Sequence, residues 1–440
     1  MENKRFYFIL TVFTAFIFIL NINHLNQQLI FTNMFLDAAG NILSGNGYTN
    51  TVFSGDPAYY PMWGYSLLLL PDSAFGTGGF LALFFQLLMA ITGVYYFYRL
   101  FAIKPGYIHL LFHLPFIGIM SVKWPDAVIA FLFILFFYFM KLYYTENRTK
   151  SIIISGIFLG IMINFRTEFL YLPVFYFALL VVPGRYLNRR SVLKAGIVLA
   201  AASILFISPW AIRSYIQKDE ISLTTSNNGM VSFISLGALA DNPWKIYISD
   251  ITAWNYVKDR GEPNPFSEKG NSMLEEAFYS SVKAEPVSFL VKCAYNFGRC
   301  FTGGVYTGEF ANIAVGTAAR YRINEELKLK GNALNQLTGL AEYGAAVAVP
   351  VAIEKIIQAV YIPLNLAVML SVVFLAFRLS RLNQKALFII ILVFIIYKLV
   401  VTSLFIYEPR FWNSVYYLAF GIVLIEKNNI PLIKKIKFIQ

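Results

Sequence analysis

The sequence predicts an all-α polytopic membrane protein with about ten transmembrane helices. Of its 440 residues, 58% are hydrophobic and only 14% are charged, and the mean hydropathy is +0.60. A soluble domain is typically about 25% charged. The apolar residues fall in long runs, and a helix needs about 20 of them to cross a hydrocarbon core of roughly 30 Å. This composition excludes an ordinary soluble protein.

Ten apolar runs are predicted to be spans. The first follows Asn3-Lys4-Arg5, and because no small-residue cleavage site comes after it, we expect a retained anchor and not a removed signal peptide. The runs cover residues 6–22, 80–101, 107–122, 127–144, 151–165, 168–183, 192–211, 357–377, 386–406 and 411–425.

Lysine and arginine are distributed unevenly between the segments that join these spans. With the N-terminus inside, the inner segments hold seventeen of them, whereas the short outer segments hold only Lys123, Arg166 and Arg410. The positive-inside rule therefore predicts that both termini are cytoplasmic. Because this orientation explains the net charge of +12, no nucleic acid partner is predicted.

Two predicted outer segments are long. The first outer loop, residues 23–79, contains a short apolar piece from Tyr65 to Leu70 that cannot span a membrane. The large outer segment, residues 212–356, has a helical pattern over 271–302 that is broken at Pro286. We expect interfacial helices in both. The chain thus divides into an N-terminal transmembrane module (1–211), the large outer segment and C-terminal transmembrane helices (357–440).

Most of the unusual polar residues lie at the predicted outer ends of the spans. Asp37 follows the first span, in a stretch without lysine or arginine from residue 6 to residue 98. Charged groups at membrane depth are costly and usually mark a site, although each one alone also fits a snorkelling side chain. The others are Lys123, Asp126, Arg166, Glu168, Arg213, Glu408 and Arg410 at span ends, and Lys398 inside the ninth span.

This set of side chains suits a lipid-linked phosphosugar, whose phosphate lies at headgroup level. Arginine and lysine bind phosphate through charge-assisted hydrogen bonds, and a carboxylate accepts the proton of an attacking hydroxyl group. An adjacent cation would lower the pKa of such a base. The first outer loop meets that requirement in sequence, provided that no cation approaches it in space.

Six short motifs follow one another in a characteristic order. They are Asp37-Ala38 with Gly45-Asn46-Gly47-Tyr48, Pro61-Met62-Trp63-Gly64-Tyr65, Asp126 at the head of a span, Arg166-Thr167-Glu168 after a glycine-containing span, Pro209-Trp210 with Arg213, and Arg410-Phe411. This order resembles the GT-C superfamily of integral-membrane glycosyltransferases. The most similar branch is that of the dolichyl-phosphate-mannose protein mannosyltransferases and bacterial aminoarabinose transferases. Met62-Trp63 departs from the usual proline of that branch.

The resemblance implies transfer of a sugar from a polyprenyl-phosphate donor to an acceptor hydroxyl group on the outer face, usually with inversion. It implies that Asp37 is the catalytic base and that Asp126 supports the site. The predicted contacts of the donor phosphate are Arg213 and Arg410, followed by Lys123, Arg166 and Lys398. The predicted acceptor or sugar pocket contains Tyr48, Tyr65, Glu168, Tyr407 and Glu408.

The predicted partners are the lipid-linked donor, membrane lipids, and a lipid, glycan or cell-wall acceptor. A protein acceptor is less expected because the chain has no adjacent Asp-Glu pair of the protein mannosyltransferase kind. We expect a bacterial inner membrane location with the site facing the periplasm or exterior. No cofactor or metal is predicted, although some relatives use a divalent ion. The oligomeric state and the donor sugar stay open.

Two other functions stay open as alternatives. One is a transporter or flippase of a lipid-linked or small anionic substrate, which Lys398 favours, and the other is a glycan polymerase. His109 and His113 lie four residues apart on the third predicted span. We expect them to form hydrogen bonds between helices.

Overall fold

The computed structural model describes residues 2–20, 30–49, 62–307, 323 and 338–426, apart from the single positions 185, 220, 224, 226, 240 and 383. The described residues form helices and turns, without a β-strand among them. Pro61 of the first outer loop and the lysines that follow residue 426 lie outside this part of the chain.

Helices occur at all ten predicted span positions. In the N-terminal half the helices are α1 (Glu2–Leu20), α2 (Ile30–Leu43), α3 (Gly64–Leu68), α4 (Leu70–Phe75), α5 (Phe80–Phe101), α6 (His109–Met120), α7 (Pro125–Glu146), α8 (Thr149–Phe165), α9 (Leu172–Tyr176) and α10 (Arg189–Lys218). They continue with α11 (Asn228–Ser235), α12 (Asp250–Lys258), α13 (Glu268–Ala284), α14 (Pro286–Thr302), α15 (Ala345–Phe377), α16 (Lys385–Leu404) and α17 (Pro409–Ile425).

Five of the described helices, α5, α7, α10, α15 and α16, are long and apolar enough to cross a membrane. Their surfaces fit a lipid environment, because Ile204 and Leu205 on α10 are each 67% exposed. The protein is thus helical and membrane-embedded. The number of spans and the side of the termini remain predictions.

The sixth predicted span, 168–183, is not one continuous α-helix. It consists of a 3-10 turn at Thr167–Tyr171, the short helix α9, and a second 3-10 turn at Phe177–Val181. Pro173 has no N–H group, so the regular hydrogen-bond ladder is broken near the first junction. Helix α15 also differs from its prediction, since it begins at Ala345, twelve residues earlier than expected.

Helix α7 lies at the centre of the bundle. Its side chains Phe133 and Phe137 are almost fully buried. The Phe133 ring centre lies 5.0 Å from that of Phe169 and 4.6 Å from that of Phe394 on α16. Helix α7 thereby joins the N-terminal module to the C-terminal helices.

The two predicted histidines do form hydrogen bonds between helices. The Tyr98 hydroxyl oxygen on α5 lies 3.2 Å from His109 Nδ1 and 2.8 Å from His113 Nε2. The other ring nitrogen of His113 lies 2.5 Å from the Tyr417 hydroxyl oxygen. The network links α5, α6 and α17 within the bundle, and this prediction is confirmed.

In the large outer segment, helices α11 to α13 enclose a small core of their own. It includes Phe233, Leu236, Val257 and Leu274, all buried. Helix α13 ends at Ala284 and α14 begins at Pro286, which confirms the predicted break.

Helix α14 attaches this segment to the end of α16. Its buried Lys292 donates hydrogen bonds to the Leu404 carbonyl oxygen and, over 3.3 Å, to the Ser235 hydroxyl group. Asn296 donates to the Phe405 carbonyl oxygen over 2.9 Å. A cation near the carbonyl end of a helix is electrostatically favourable, so this attachment stabilises the last turn of α16.

The first outer loop packs on the end of α8 through a glycine. A Cβ atom at residue 64 would lie 2.5 Å from the Asn164 carbonyl oxygen and 2.8 Å from a Phe165 ring carbon. We therefore predict that Gly64→Ala lowers the unfolding free energy by about 1–3 kcal/mol. Thermal unfolding of the purified protein in detergent measures the change.

Gly298→Ala on α14 is the matched control for this prediction. A Cβ atom there meets no atom within 4 Å, and alanine is favoured over glycine inside a helix by about 0.5–1 kcal/mol. Its melting temperature should be unchanged or raised. Equal melting temperatures for the two variants would contradict the proposed packing.

Candidate functional site

Six charged side chains meet at one end of the bundle, where α7 and α17 begin and α8 and α16 end. We call this the site end. The group comes from four separate parts of the sequence, and we call it the ion cluster. Its members are Asp126, Arg166, Glu168, Lys398, Glu408 and Arg410.

Arg166 joins the two carboxylates nearest to it. Its Nη1 lies 2.6 Å from Asp126 Oδ1, and its Nε lies 3.7 Å from Glu168 Oε1. The same Glu168 oxygen accepts a hydrogen bond from Lys398 Nζ over 3.1 Å. Side chains more than 230 residues apart in sequence are thus joined in one chain of ion pairs. Charge-assisted hydrogen bonds of this kind are stronger than neutral ones.

Arg410 forms the other half of the ion cluster. Its Nε lies 2.5 Å from Glu408 Oε2. Its guanidinium carbon lies 4.5 Å from the centre of the Trp124 ring and 4.8 Å from that of Phe411. The Arg166 guanidinium carbon lies 3.7 Å from the same Phe411 ring. Because cations are attracted to aromatic faces, Phe411 holds the two arginines near each other.

The local sequence explains why carboxylates lie at this end. Asp126 follows Pro125, which begins α7, and Glu408 precedes Pro409, which begins α17. Proline is favoured in the first turn of a helix, and negative charge is favoured near a helix N-terminus. Arg166 has an extended backbone with φ of −151°, so the chain leaves α8 at this residue.

Lys398 lies close to the site end and is only 3% exposed. Six residues separate it from Leu404, where α16 ends, which corresponds to about 9 Å along the helix axis. A lysine at this depth needs a partner, and Glu168 supplies it. It is nearer to the middle of the 20-residue helix α16, about 5 Å away along the axis, than to the end of that helix.

The ion cluster is balanced in charge and tightly closed. Three cations face three carboxylates, and the space between them is about 10 Å³, which holds roughly one water molecule. Apolar side chains, among them Ile129, Phe133 and Phe169, form the inner wall. An anionic ligand would therefore bind the cations by exchanging with a carboxylate.

Asp37, Tyr48 and Arg213 form a second polar group, outside the lining of this pocket. Asp37 is half-buried on α2, and its Oδ2 lies 3.5 Å from the amide nitrogen of Asn41, which also donates to the Thr49 carbonyl oxygen over 3.1 Å. Arg213 donates to the Tyr48 carbonyl oxygen over 2.8 Å. A cation thus approaches the first outer loop in space, although the sequence of the loop has none.

Three other predicted site residues lie outside the lining of the pocket. The Tyr65 hydroxyl group donates to Gln86 Oε1 over 2.9 Å, and Tyr65 is fully buried. Lys123 donates to the Gly78 carbonyl oxygen over 3.0 Å, and burial lowers the pKa of Lys123. Tyr407 donates to the Gly304 carbonyl oxygen. The contacts found for these three are structural.

Asp250 is a neighbour of the ion cluster that the sequence did not reveal. It is the first residue of α12 and follows the capping residue Ser249. Burial raises the pKa of Asp250, the nearby Glu408 carboxylate raises it further, and Arg410 lowers it. Ser249-Asp250 indicates a helix start, but a local signal of this kind does not say what the helix faces.

Comparisons with protein-family models, curated proteins and solved structures found no match to this chain.

The ion pair between Lys398 and Glu168 should show strong coupling. Lys398→Met and Glu168→Gln each remove a partner from a buried pair, and each should lower the unfolding free energy by about 3 kcal/mol. The double variant should lose less than the sum of the two, because it removes both charges of the pair and leaves neither one uncompensated. Thermal unfolding of all four proteins measures the coupling. Additive losses would contradict a direct ion pair.

Asp250→Asn should raise the melting temperature at pH 7 by about 1–2 °C. The pKa of Asp250 lies above its ordinary value of 3.8, so the folded protein disfavours the charged carboxylate. The stability of the wild-type protein therefore falls as the pH rises from 3.8 through the raised pKa. Asparagine avoids that cost. The advantage should shrink as the pH is lowered towards 3.8. Asp241→Asn, at an exposed position, is the control, and an equal rise in both variants would contradict the assignment.

Proposed function

We propose that the protein is a membrane glycosyltransferase that moves a sugar from a polyprenyl-phosphate donor to an acceptor hydroxyl group. One observation carries the proposal. Arg166, Lys398 and Arg410 belong to separate parts of the sequence, and they meet in one pocket at the end of a membrane-embedded bundle. A lipid-linked phosphate at headgroup level is the ligand that such a group of cations suits.

The donor phosphate would bind by replacing a carboxylate in the ion cluster. Glu168 is shared between Arg166 and Lys398, so its displacement frees two cations together. Glu408 is held by Arg410 alone among the described ion pairs. Cations placed beside the departing phosphate stabilise the negative charge that develops on it.

Asp37 is the catalytic base in this proposal. Asp126, Glu168 and Glu408 are all engaged in ion pairs with the cations of the cluster, so we assign them to holding those cations in place. Ring contacts connect the helix that carries Asp37 to the end of α8, since the Tyr65 ring centre lies 5.1 Å from that of Phe35 and 6.4 Å from that of Phe165, the residue before Arg166. Asp126 then serves to position Arg166.

Inversion at the anomeric carbon follows from a single displacement with one base and one leaving phosphate. We place the site on the outer face of a bacterial inner membrane, with a lipid, glycan or cell-wall acceptor. A transporter would need ionisable groups near the bilayer midplane. Asp126 and Arg410 lie instead in the first turns of α7 and α17, and Arg166 follows the last residue of α8, which favours chemistry at the surface.

The test uses the purified protein with candidate polyprenyl-phosphate sugars and a membrane extract as the source of acceptor. Arg410→Gln and Asp37→Asn should each reduce sugar transfer at least about 100-fold, because one removes phosphate stabilisation and the other removes the base. Transfer is measured as radiolabelled sugar recovered in the acceptor fraction.

Two control variants match these substitutions. Arg378→Gln removes an arginine at the opposite end of the bundle, and Asp219→Asn changes an exposed residue after α10. Both should transfer sugar at the wild-type rate. Undiminished transfer by folded Asp37→Asn would reject the base, and absence of transfer from every donor would reject the proposed function.

A further inference from the structure

The large outer segment contains an open groove of about 780 Å³. This volume lies in the range of small-molecule binding sites. The groove is separate from the ion cluster and shares no lining residue with it. It is formed by α12, α13 and the loop that precedes α12.

Residues on one face of each helix line the groove. On α12 and just beyond it these are Thr252, Asn255, Tyr256 and Asp259, and on α13 they are Met273, Glu276, Ala277 and Ser280. Both sets recur at the three- and four-residue spacing of one helical face. The two faces run side by side for about 10 Å, so the groove suits an elongated ligand.

The loop that closes the groove is held in one conformation by a buried side chain. Asn242 accepts a hydrogen bond from the Ile246 N–H group over 3.0 Å and donates to the Leu239 and Ile246 carbonyl oxygens over 2.9 and 2.8 Å. The Lys245 backbone has a φ of 53°, which is uncommon for a residue other than glycine. A fixed loop of this kind lowers the entropic cost of binding.

This loop presents aromatic side chains to the groove. Tyr247 is 74% exposed, and the Trp244 indole is oriented by its hydrogen bond to the Ser281 carbonyl oxygen over 3.0 Å. Across the groove, the Arg260 guanidinium carbon lies 3.6 Å from the centre of the Tyr256 ring. Tyr247 is thus exposed and Trp244 is partly buried, and both rings offer flat apolar surfaces beside hydrogen-bonding groups.

The charges of the groove cancel. Lys245 and Arg260 are balanced by Asp259 and Glu276, so there is no field that would select a polyanion or a polycation. A sugar ring has an apolar C–H face that packs on an aromatic ring and hydroxyl groups that bond to carboxylate, amide and hydroxyl side chains. Uncharged sugars therefore match this lining.

Helices α11 and α14 connect the groove to the site end. Phe233 on α11 lines the groove, and the Ser235 hydroxyl group two residues further on accepts a hydrogen bond from Lys292, which also donates to the Leu404 carbonyl oxygen at the end of α16. A chain bound in the groove could thus extend one end towards the cluster.

We propose that this groove binds an uncharged oligosaccharide and that it holds the glycan acceptor of the transfer reaction. The second half of the statement rests on the proposed glycosyltransferase function, whereas the first half does not. Tyr247 and Trp244 supply the stacking surfaces, and Asn255, Asp259 and Glu276 supply hydrogen bonds to sugar hydroxyl groups.

Binding is measured by calorimetry on the full-length protein in nanodiscs, without a sugar donor. The probes are chitohexaose, maltohexaose and a linear mannohexaose, with a glycine-serine dodecapeptide as the competing class. We expect at least one oligosaccharide to bind saturably and the peptide not to bind. Tyr247→Ala should raise the Kd of the bound oligosaccharide about tenfold or more, because a stacking surface is lost. Tyr279→Ala should leave that Kd unchanged. Tyr279 is the matched control because it is 68% exposed on α13 but does not line the groove.

Three results would overturn the inference: no oligosaccharide binds, the peptide binds in place of the sugars, or Tyr247→Ala and Tyr279→Ala bind equally well. The assay also separates the two proposals. If an oligosaccharide binds but no donor supports sugar transfer, the groove would still be a sugar-binding site and the proposed enzyme activity would be rejected. If the wild-type protein and Tyr247→Ala transfer sugar at the same rate and no oligosaccharide binds, the enzyme proposal would stand and the groove proposal would be rejected.

Discussion

The ion pairs of Arg166 fix the arrangement of the site end. Arg166 leaves α8 and binds Asp126 at the start of α7 and Glu168 in the following turn, while its guanidinium group packs on Phe411 of α17. Removing one partner from such a buried set leaves an uncompensated charge, which is far more costly than removing the pair together. The ends of α7, α8, α16 and α17 are therefore held in register by charge, whereas packing of Phe133 and Phe137 on Phe394 holds α7 and α16 together further inside.

Charge balance in the ion cluster connects ligand binding to helix positions. A phosphate that takes the place of Glu168 would loosen the contact between the 3-10 turn after α8 and Lys398 on α16. The large outer segment would sense this change, because α14 is attached to the carbonyl groups of Leu404 and Phe405. Asp250 adds a second connection beside Glu408. The site end and the large outer segment are thus joined at the end of α16 and at the start of α12.

Local sequence signals predicted the helices but only part of the site. Long apolar runs located a helix at each predicted span, and Pro286 marked the boundary between α13 and α14. The same signals did not reveal that Lys398 meets Glu168 or that Arg213 binds the Tyr48 carbonyl group, since such contacts depend on how helices pack. Tyr65 and Lys123 were predicted to be site residues, yet Tyr65 donates a hydrogen bond to Gln86 and Lys123 donates one to the Gly78 carbonyl oxygen. Asp250 resembled an ordinary helix start, and only the fold gives it charged neighbours.

The pairing of Lys398 with Glu168 has a consequence for biosynthesis. A lysine within an apolar helix opposes insertion into the membrane by about 2.5–3.5 kcal/mol. Glu168 precedes Lys398 by 230 residues, so during synthesis the carboxylate is already in the membrane region when α16 emerges from the ribosome. At that moment Asp126, Arg166 and Glu168 carry one excess negative charge, and α16 brings the compensating cation. A residue made long before α16 thus favours the insertion of this helix, and α17, with Glu408 and Arg410, completes a site whose net charge is already neutral.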